Sequence, residues 1–467
     1  MLKQAWQTDR LLMRPLAWNL TARGCALGRS QALSNSRKVK GCRTAAQLPV
    51  EDCNQRFSDR RVQNDSNWLL LSRAGNYNAP TSRRNTMQQS SDRALFANQL
   101  RGVAVIAVLI VHWCGVYWFS RDVVASYIHA PIVEGPSSSM IYWLTIPTFN
   151  YGPFGVSIFF LISGFVIPFS LNRLAPVKFL VARFLRIYPT YIAASLIMLA
   201  LVYLSSRYWG QPFSMALDRL FANLFLLQGN LHYPSIDMVN WTLAIEIKFY
   251  IIAALLYRCI KGGNAFPLIL FSVAVLAACE ALPTLLAGWE LRPGLVESLE
   301  TELMCVIFMF IGTGFYHHYT GTYTTRQLLT YVAILMLVFL LCWPHTDWVV
   351  QMPSVPQNYV YGLVLFSVSY TMRKYFRPFA PLDFIANISY SIYVTHSIIG
   401  YLSLRILMDQ GLSFPVSGLL TLVFVLTLAY ALYRLVEVPT MHLGKRIFGK
   451  RAGPAPTSSL NLAQANK

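Results

Sequence analysis

From Leu95 onward the sequence consists largely of apolar runs, and this feature constrains the fold more than any other. About 20 apolar residues in a helix span the roughly 30 Å hydrocarbon core of a bilayer, where a helix satisfies its own backbone hydrogen bonds. We count ten such runs, near residues 97–119, 141–171, 187–206, 241–258, 265–283, 301–318, 328–344, 358–373, 384–407 and 413–436. The sequence therefore predicts an all-α, polytopic membrane helix bundle.

Composition and charge agree with a membrane protein. Of the 467 residues, 55% are hydrophobic and only 13% are charged, whereas soluble domains are about 25% charged. The net charge is +19, and in the membrane part the basic residues lie mainly in loops that follow even-numbered runs. This pattern indicates topology rather than nucleic-acid binding, and the positive-inside rule places both termini in the cytoplasm.

The chain divides into three parts by composition. Residues 94–442 form the predicted transmembrane domain, and residues 443–467 a cytoplasmic tail. Residues 1–93 are mostly polar and arginine-rich, without apolar periodicity. They fit a disordered basic tail near anionic lipid, a transit-like leader, or an upstream start with Met87 as the true initiator. We favour the last reading because nothing in the segment looks able to pack.

The cysteines give no sign of a metal centre. The eight cysteines follow no Cys-x-x-Cys or Cys/His ligand spacing. Five of them lie in or beside apolar runs, where a free cysteine behaves as a small hydrophobe. We therefore predict neither a metal site nor a structural disulfide.

The first apolar run carries Arg101 and, eleven residues later, His112. Ionisable groups inside a membrane helix are costly and indicate function by default. At about 100° and 1.5 Å per residue, the two side chains share a face to within about 20° and lie about 16 Å apart along the axis. This spacing fits two side chains that have separate functions at two depths in the membrane. The alternative is an interfacial arginine and a histidine satisfied by a neighbouring helix.

Three further polar patterns are candidates for function. Arg183 and Arg186 are spaced i, i+3 at a membrane boundary, which suits either phosphate binding or a positive-inside anchor. Glu246 needs a partner from another helix, because Lys248 projects about 200° away from it. The third pattern lies in the ninth run and consists of Ser389, Tyr393 and His396. Their i, i+4, i+7 spacing puts them on one face of a helix. This polar face either lines a cavity or forms hydrogen bonds to a neighbouring helix.

Together these segments resemble the acyltransferase 3 family of integral membrane acyltransferases over about residues 94–442. Five motifs in order carry the resemblance: Arg101 and His112; the stretch from Gly155 to Phe165; Arg183, Arg186, Pro189 and Tyr191; Trp241, Leu243, Glu246, Phe249 and Tyr250; and Ser389, Tyr390, Tyr393 and His396. Two positions differ from the family pattern, because Ile247 and Lys248 stand where the family has Glu and Gln.

The resemblance implies transfer of an acyl group, most simply acetyl, from acetyl-CoA or another acyl-CoA to a hydroxyl of a sugar or polysaccharide precursor. It implies His112 as general base or transient acyl carrier, with Glu246 orienting His112 or the acceptor. Arg101, Arg183 and Arg186 would bind the donor phosphates. The expected cavity residues are Ser163, Trp241, Tyr250, Tyr390, Tyr393 and His396.

The implied partners are membrane lipid, a carbohydrate acceptor and acyl-CoA, with no nucleic acid, and the implied location is the bacterial inner membrane. A transporter or flippase of a glycan or small molecule on the same scaffold is the alternative, since intramembrane His, Glu and Tyr also suit proton-coupled transport. That alternative predicts substrate movement without dependence on acyl-CoA.

Overall fold

The structure is a computed structural model that describes residues 81–285, 295–346 and 348–448. The chain divides into two compact units, Met1–Arg84 and Asn85–Lys467, and the second unit holds the predicted membrane domain. Most of the predicted N-terminal extension and most of the predicted tail lie outside the described residues. Within the described part of the chain, the regular secondary structure is helical throughout, as the apolar runs predict.

The structure contains the following helices in chain order. The first half contains α1 (Thr81–Ile110), a π-helix (Val111–Val116), α2 (Tyr117–Phe119), α3 (Arg121–Ile128), α4 (Ser139–Leu144), α5 (Tyr151–Leu171), α6 (Pro176–Tyr208), α7 (Leu217–Leu224), α8 (Asn240–Leu255) and α9 (Tyr257–Gly262). The second half contains α10 (Phe266–Leu285), α11 (Leu295–Tyr319), α12 (Thr325–Cys342), α13 (Trp348–Gln351), α14 (Val355–Thr371), α15 (Ala380–Asn387), α16 (Ser389–Tyr393), α17 (Ile398–Asp409), α18 (Phe414–Leu432), a second π-helix (Tyr433–Glu437) and α19 (Val438–Phe448).

Six helical segments of the described residues are long and apolar enough to cross a membrane: Leu95–Phe119, Tyr151–Leu171, Pro176–Tyr208, Ser298–Tyr319, Thr325–His345 and Phe414–Phe448. Each of them overlaps one of the ten predicted runs. The other four runs correspond to α8, α10, α14 and the α15–α17 segment, which are not among these six. The protein is thus an integral membrane helix bundle, and the count of ten remains a prediction.

The run predicted as one helix over 384–407 is broken into α15, α16 and α17. Side chains near the second break compete for backbone carbonyls: Thr395 Oγ1 donates to the Ser391 oxygen at 2.8 Å, and His396 Nδ1 lies 2.8 Å from the Tyr393 oxygen. Local side-chain bonds of this kind interrupt a helix. The break therefore places His396 in a turn rather than on the predicted continuous polar stripe.

Two further boundaries differ from the predicted runs. The run 141–171 is divided by residues 145–150, where Thr148 has a left-handed φ of 65° and the Asn150 side chain caps α5 by accepting from the Gly152 amide. Helix α6 begins at Pro176, so Arg183 and Arg186 lie inside this helix and not in the loop before it. Proline at the first turn favours this early start, because its missing N–H is not needed there.

Helix α5 is the central helix and packs against α11 and α14. At the crossing with α11, a Cβ added to Gly164 would lie 1.8 Å from the Met309 oxygen, so glycine permits the close approach. Pro168 cannot donate to the carbonyl of Gly164 four residues earlier. The Thr313 hydroxyl donates to this oxygen at 3.2 Å instead, which satisfies it inside the bundle.

Large apolar side chains remain exposed on the outer faces of the helices. Leu255 is 79% exposed, Leu419 is 62% exposed and Val423 is 57% exposed. Apolar surface of this extent is unfavourable in water and suits contact with lipid. The exposed faces therefore agree with the membrane assignment made from helix length.

Candidate active site

A cavity of about 100 Å³ lies between α1, α5, α6, α8 and α16. Most of the residues that the sequence singles out line it: Arg101, Ser163, Arg183, Arg186, Glu246, Tyr250, Ser389, Tyr390 and Tyr393. These residues come from segments that are far apart in sequence. The fold thus brings residues of all five motifs to one cavity.

Three arginines give this cavity a concentrated positive charge. Arg101 comes from α1, and Arg183 and Arg186 come from one face of α6. The Arg183 guanidinium donates to Ser170 Oγ at 2.5 Å and lies 5.4 Å from the Phe179 ring centroid and 5.7 Å from that of Tyr250. Guanidinium groups that are fixed in this way are prepared to bind a phosphate bidentately.

Glu246 places a carboxylate among these cations. Its Oε1 accepts hydrogen bonds from Ser163 Oγ at 3.1 Å and from the Tyr250 hydroxyl, and it interacts electrostatically with Arg101. Its partner from another helix is Ser163 of α5. Lys248, two residues later, points elsewhere and forms an ion pair with Glu302 at 2.8 Å.

A second carboxylate, Glu437, belongs to none of the five sequence motifs, yet it is buried and interacts with two of the arginines. The structure places Glu437 on the second π-helix, only 3% exposed, with Oε2 accepting from Ser391 Oγ at 2.8 Å. It interacts electrostatically with Arg186 and Arg101. A carboxylate beside an apolar run can be interior or interfacial, and only the tertiary contacts distinguish the two.

His112 lies outside the arginine cavity, on the first π-helix that follows α1. Its Nδ1 is hydrogen-bonded to the Tyr401 hydroxyl, and its ring lies edge-on to that of His396 with centroids 4.9 Å apart. Single π-turns inside α-helices often mark functional sites. Arg101 and His112 therefore belong to one helical segment but to different polar groups of side chains.

The backbone around His396 fixes which of its ring nitrogens carries the proton. His396 Nδ1 faces the carbonyl oxygens of Tyr393 and Ile392 at 2.8 and 3.3 Å, and a carbonyl can only accept. Nδ1 must therefore donate, and Nε2 carries the lone pair. Nε2 is buried and has no hydrogen-bond partner among the described residues. An acceptor nitrogen is thus left available beside His112.

The remaining predicted residues have structural contacts of their own. The Tyr390 hydroxyl donates to the Ile187 oxygen at 2.8 Å, and the Tyr393 hydroxyl is 2.5 Å from Thr242 Oγ1. Trp241 packs edge-on against Trp348 with ring centroids 4.8 Å apart. Trp241 is not among the residues that line the arginine cavity, so the structure does not bring it to the predicted position.

A second cavity, of about 290 Å³, adjoins the first π-helix. Val111, Cys114 and Gly115 of that π-helix line it, facing a rim that includes Thr145, Thr148, Asn150, Tyr151 and Ser354. The segment that carries His112 thus has a separate space beside it. In the described residues, no group of three or more His, Cys, Asp or Glu side chains is placed to hold a metal ion.

Comparison with known proteins identifies the family of this chain. Residues 95–434 match the acyltransferase 3 family, described as an acyltransferase domain. The chain belongs to this family. Over 185 residues it is 28% identical to the acyltransferase MdmB of Streptomyces mycarofaciens, a match that covers 35% of this chain and 48% of that protein. The chain thus spans about half the length of this curated relative. No solved structure matches the chain.

The family assignment gives the chain a membrane-embedded domain of the kind described as an acyltransferase domain. The match runs through α1, which carries Arg101 and leads into His112, and ends within the second π-helix, three residues before Glu437. The family domain therefore spans both the arginine cavity and the paired histidines.

Proposed function

We propose that this protein transfers an acyl group, most simply acetyl, from acyl-CoA to a hydroxyl of a sugar or polysaccharide precursor in the bacterial inner membrane. The observation that carries the proposal is the convergence of Arg101, Arg183 and Arg186 on one cavity. Acyl-CoA is an acyl donor with several phosphates, and three arginines suit such a ligand. The sugar acceptor and the bacterial location rest on the resemblance to the family.

The arginines would bind and orient the donor. Their planar guanidinium groups form two parallel hydrogen bonds to a phosphate, which fixes orientation as well as position. Glu246 and Glu437 would balance the positive charge when the donor is absent, since both interact electrostatically with Arg101. Glu246, held by Ser163 and Tyr250, would also orient the acceptor within reach of the donor.

His112 would promote the chemical step as general base. Its Nε2 would take the proton of the acceptor hydroxyl while the acceptor oxygen attacks the thioester carbonyl. The tetrahedral intermediate then collapses, the C–S bond breaks, and the thiolate of coenzyme A takes up the proton, which leaves an ester and free coenzyme A. A transient acyl-histidine is the second route compatible with the same residue, and it would pass the acyl group on to the acceptor in a second step.

The membrane topology proposed for this reaction has ten spans and both termini in the cytoplasm. It rests on the basic residues at or after the ends of the even-numbered runs, among them Arg173, Arg258, Arg326 and Lys374. In this orientation the arginine cavity would open towards cytoplasmic acyl-CoA, and His112 would lie deeper in the bundle, nearer the acceptor. The second cavity beside the first π-helix would then suit an acceptor arriving from the other side.

The test compares wild type with His112→Ala at matched membrane levels in a host that lacks the gene. His442→Ala, an exposed histidine on α19, is the matched control. Mass spectrometry of surface glycans and secreted glycosides should lose one acyl increment in His112→Ala only. An unchanged acylation profile together with altered glycan export would contradict the enzyme and indicate the transporter or flippase instead.

A further inference from the structure

We propose that the ring of Phe159 closes the arginine cavity on the side that faces His112 and so limits the acyl group of the donor to a short chain. The proposal rests on the proposed function, because it names the class of acyl-CoA that the same cavity accepts. It makes Phe159, on α5, a specificity-determining residue of the site. Phe159 lines the cavity, whereas His112 and His396 do not.

The arginine cavity has two ends, which helix α8 sets apart. Tyr250 lies at one end, where its ring centroid is 5.7 Å from the Arg183 guanidinium. Thr242 lies at the other end, where its Oγ1 is 2.5 Å from the Tyr393 hydroxyl. The two positions of α8 are about 12 Å apart along the helix axis. A donor whose phosphates bind the arginines therefore has its pantetheine arm directed towards Thr242 and Tyr393.

Three ring contacts lead from this second end of the cavity to His112. The ring of Phe159 lies edge-on to that of Tyr393, with centroids 5.8 Å apart. The Tyr393 ring is 5.6 Å from that of His396, and the His396 ring is 4.9 Å from that of His112. Phe159 and Tyr393 both line the cavity. The acyl group therefore meets these two rings before it reaches an acceptor that His112 activates.

Of these two rings, that of Phe159 is the easier one to displace. The Tyr393 hydroxyl is hydrogen-bonded to Thr242 Oγ1, which in turn donates to the Val239 oxygen at 2.8 Å. Tyr393 is also buried, whereas Phe159 is half-buried and has no polar atom that could hold its ring in place. Displacing Tyr393 would break a buried hydrogen bond, which is costly. The ring of Phe159 therefore sets how much room the acyl group has.

Phe159 occupies the space in which three parts of the apolar core meet. It packs against all three of them. The first part includes Phe165 and Phe310, the second Trp113 and Tyr401, and the third Leu243 and Tyr393. Close-packed interiors relax only partly when a large side chain is removed, so a smaller residue at position 159 would leave an apolar void beside the cavity.

Such a void suits the methylene groups of a longer acyl chain. Val156, one turn before Phe159, and Leu243, next to Thr242, also line the cavity, so its walls near Phe159 are apolar. In an apolar pocket, each methylene group that is accepted or refused changes kcat/KM about 10- to 200-fold. A phenyl ring in this position therefore discriminates strongly between acetyl and longer acyl groups.

The first measurement is binding, which needs neither turnover nor a known acceptor. S-ethyl-, S-butyl- and S-hexyl-coenzyme A are thioethers that cannot transfer their alkyl group, and their Kd values are measured on full-length protein in nanodiscs. Wild type is compared with Phe159→Ala and Phe159→Leu. Phe154→Ala is the matched control, because Phe154 is a half-buried phenylalanine of the same helix that does not line the cavity.

The second measurement is the choice between two donors. Membrane vesicles of the expressing host, which contain its own acceptors, receive equal concentrations of acetyl-CoA and butyryl-CoA. Mass spectrometry then counts the acetyl and butyryl increments on the products. Because the donors compete, the ratio of the two increments equals the ratio of their kcat/KM values.

We expect wild type and Phe154→Ala to bind S-ethyl-coenzyme A at least about tenfold more tightly than S-hexyl-coenzyme A. Phe159→Ala should bind the hexyl compound about tenfold more tightly than wild type does, and its ratio of butyryl to acetyl products should rise by a similar factor. Phe159→Leu should gain mainly for the butyl compound, and it remains informative if Phe159→Ala does not fold. Wild-type chain preference in both Phe159 variants would overturn the proposal.

The binding measurement separates this proposal from the proposed function. If the Phe159 variants bind the longer thioethers more tightly but no protein yields an acylated product, the limit on chain length holds and the function fails. If acyl transfer depends on His112 but chain preference is the same with and without the Phe159 ring, the function holds and the limit on chain length fails. A wild type that binds the hexyl compound as tightly as the ethyl compound would also overturn this proposal.

Discussion

Trp113 Nε1 donates a hydrogen bond of 2.9 Å to the backbone oxygen of His396. This bond ties the first π-helix to the break between α16 and α17, so the two histidines are held together by the residue that follows one of them. Gly400 makes the contact possible, because a Cβ at this position would lie 2.3 Å from Trp113 Nε1. The spacing of His112 and His396 therefore depends on a tryptophan and a glycine.

Substitution of Gly400 by alanine should disturb this contact. The added methyl group would displace Trp113, break its bond to His396 and shift His112 away from its partners. We expect acyl transfer to fall about tenfold or more, in line with the cost of misplacing a catalytic group. Gly418→Ala on α18 is the control, since a Cβ there meets nothing within 4 Å. Full activity in Gly400→Ala would show that the contact has no bearing on His112.

The crossing of α5 and α11 should tolerate no side chain at Gly164. A Cβ at this position would lie 1.8 Å from the Met309 oxygen and 3.1 Å from the Gly312 Cα, so the helices would have to separate. Overpacking of this kind costs about 1–3 kcal/mol and sometimes more. We expect Gly164→Ala to lower both the melting temperature and the amount of protein in the membrane. Gly262→Ala, which has open space, should match wild type.

The sequence predicts those features of the fold that depend on the residues of a single helix. The six membrane-crossing segments follow from apolar length alone, and Arg183 and Arg186 share a face because helix geometry puts positions i and i+3 together. The sequence also predicts that Glu246 contacts another helix, because Lys248 points away from it. These predictions depend only on the period of a helix and on the cost of an unpaired charge in lipid.

The rest depends on contacts between distant segments. The break at His396 arises because Thr395 and His396 bond to carbonyls of their own segment, although the residues on both sides form helices. Glu437 meets Ser391 from across the bundle, and Tyr401 meets His112 at a separation of 289 residues. The periodicity within one run cannot predict such pairs, so the sequence alone does not show that Glu437 and Tyr401 contact residues of the motifs.

The arginine cavity should require guanidinium groups and not merely positive charge. Arg186→Lys keeps the charge but loses the planar fork that binds a phosphate through two hydrogen bonds. We expect the KM for acyl-CoA to rise about tenfold with a smaller change in kcat. Lys178→Gln removes an exposed charge from the same helix and should leave both values unchanged. A lysine variant with the KM of wild type would contradict bidentate phosphate binding by Arg186.

Glu437 should compete with the phosphates of the donor for the arginines. In the protein without donor, this buried carboxylate balances the charges of Arg186 and Arg101, so Glu437→Gln leaves like charges facing one another. We expect the melting temperature of Glu437→Gln to be lower than that of wild type. Added coenzyme A should then raise it by more than it raises wild type, because the ligand supplies the missing negative charge.

The control for this prediction is Glu280→Gln, which alters an acid that is largely exposed on α10. This variant should respond to coenzyme A as wild type does. The measurement is a thermal unfolding scan of the purified full-length proteins over a range of coenzyme A concentrations at one ionic strength, since salt screens charge interactions. If Glu437→Gln gains no more from coenzyme A than wild type, Glu437 serves only to anchor the second π-helix through Ser391.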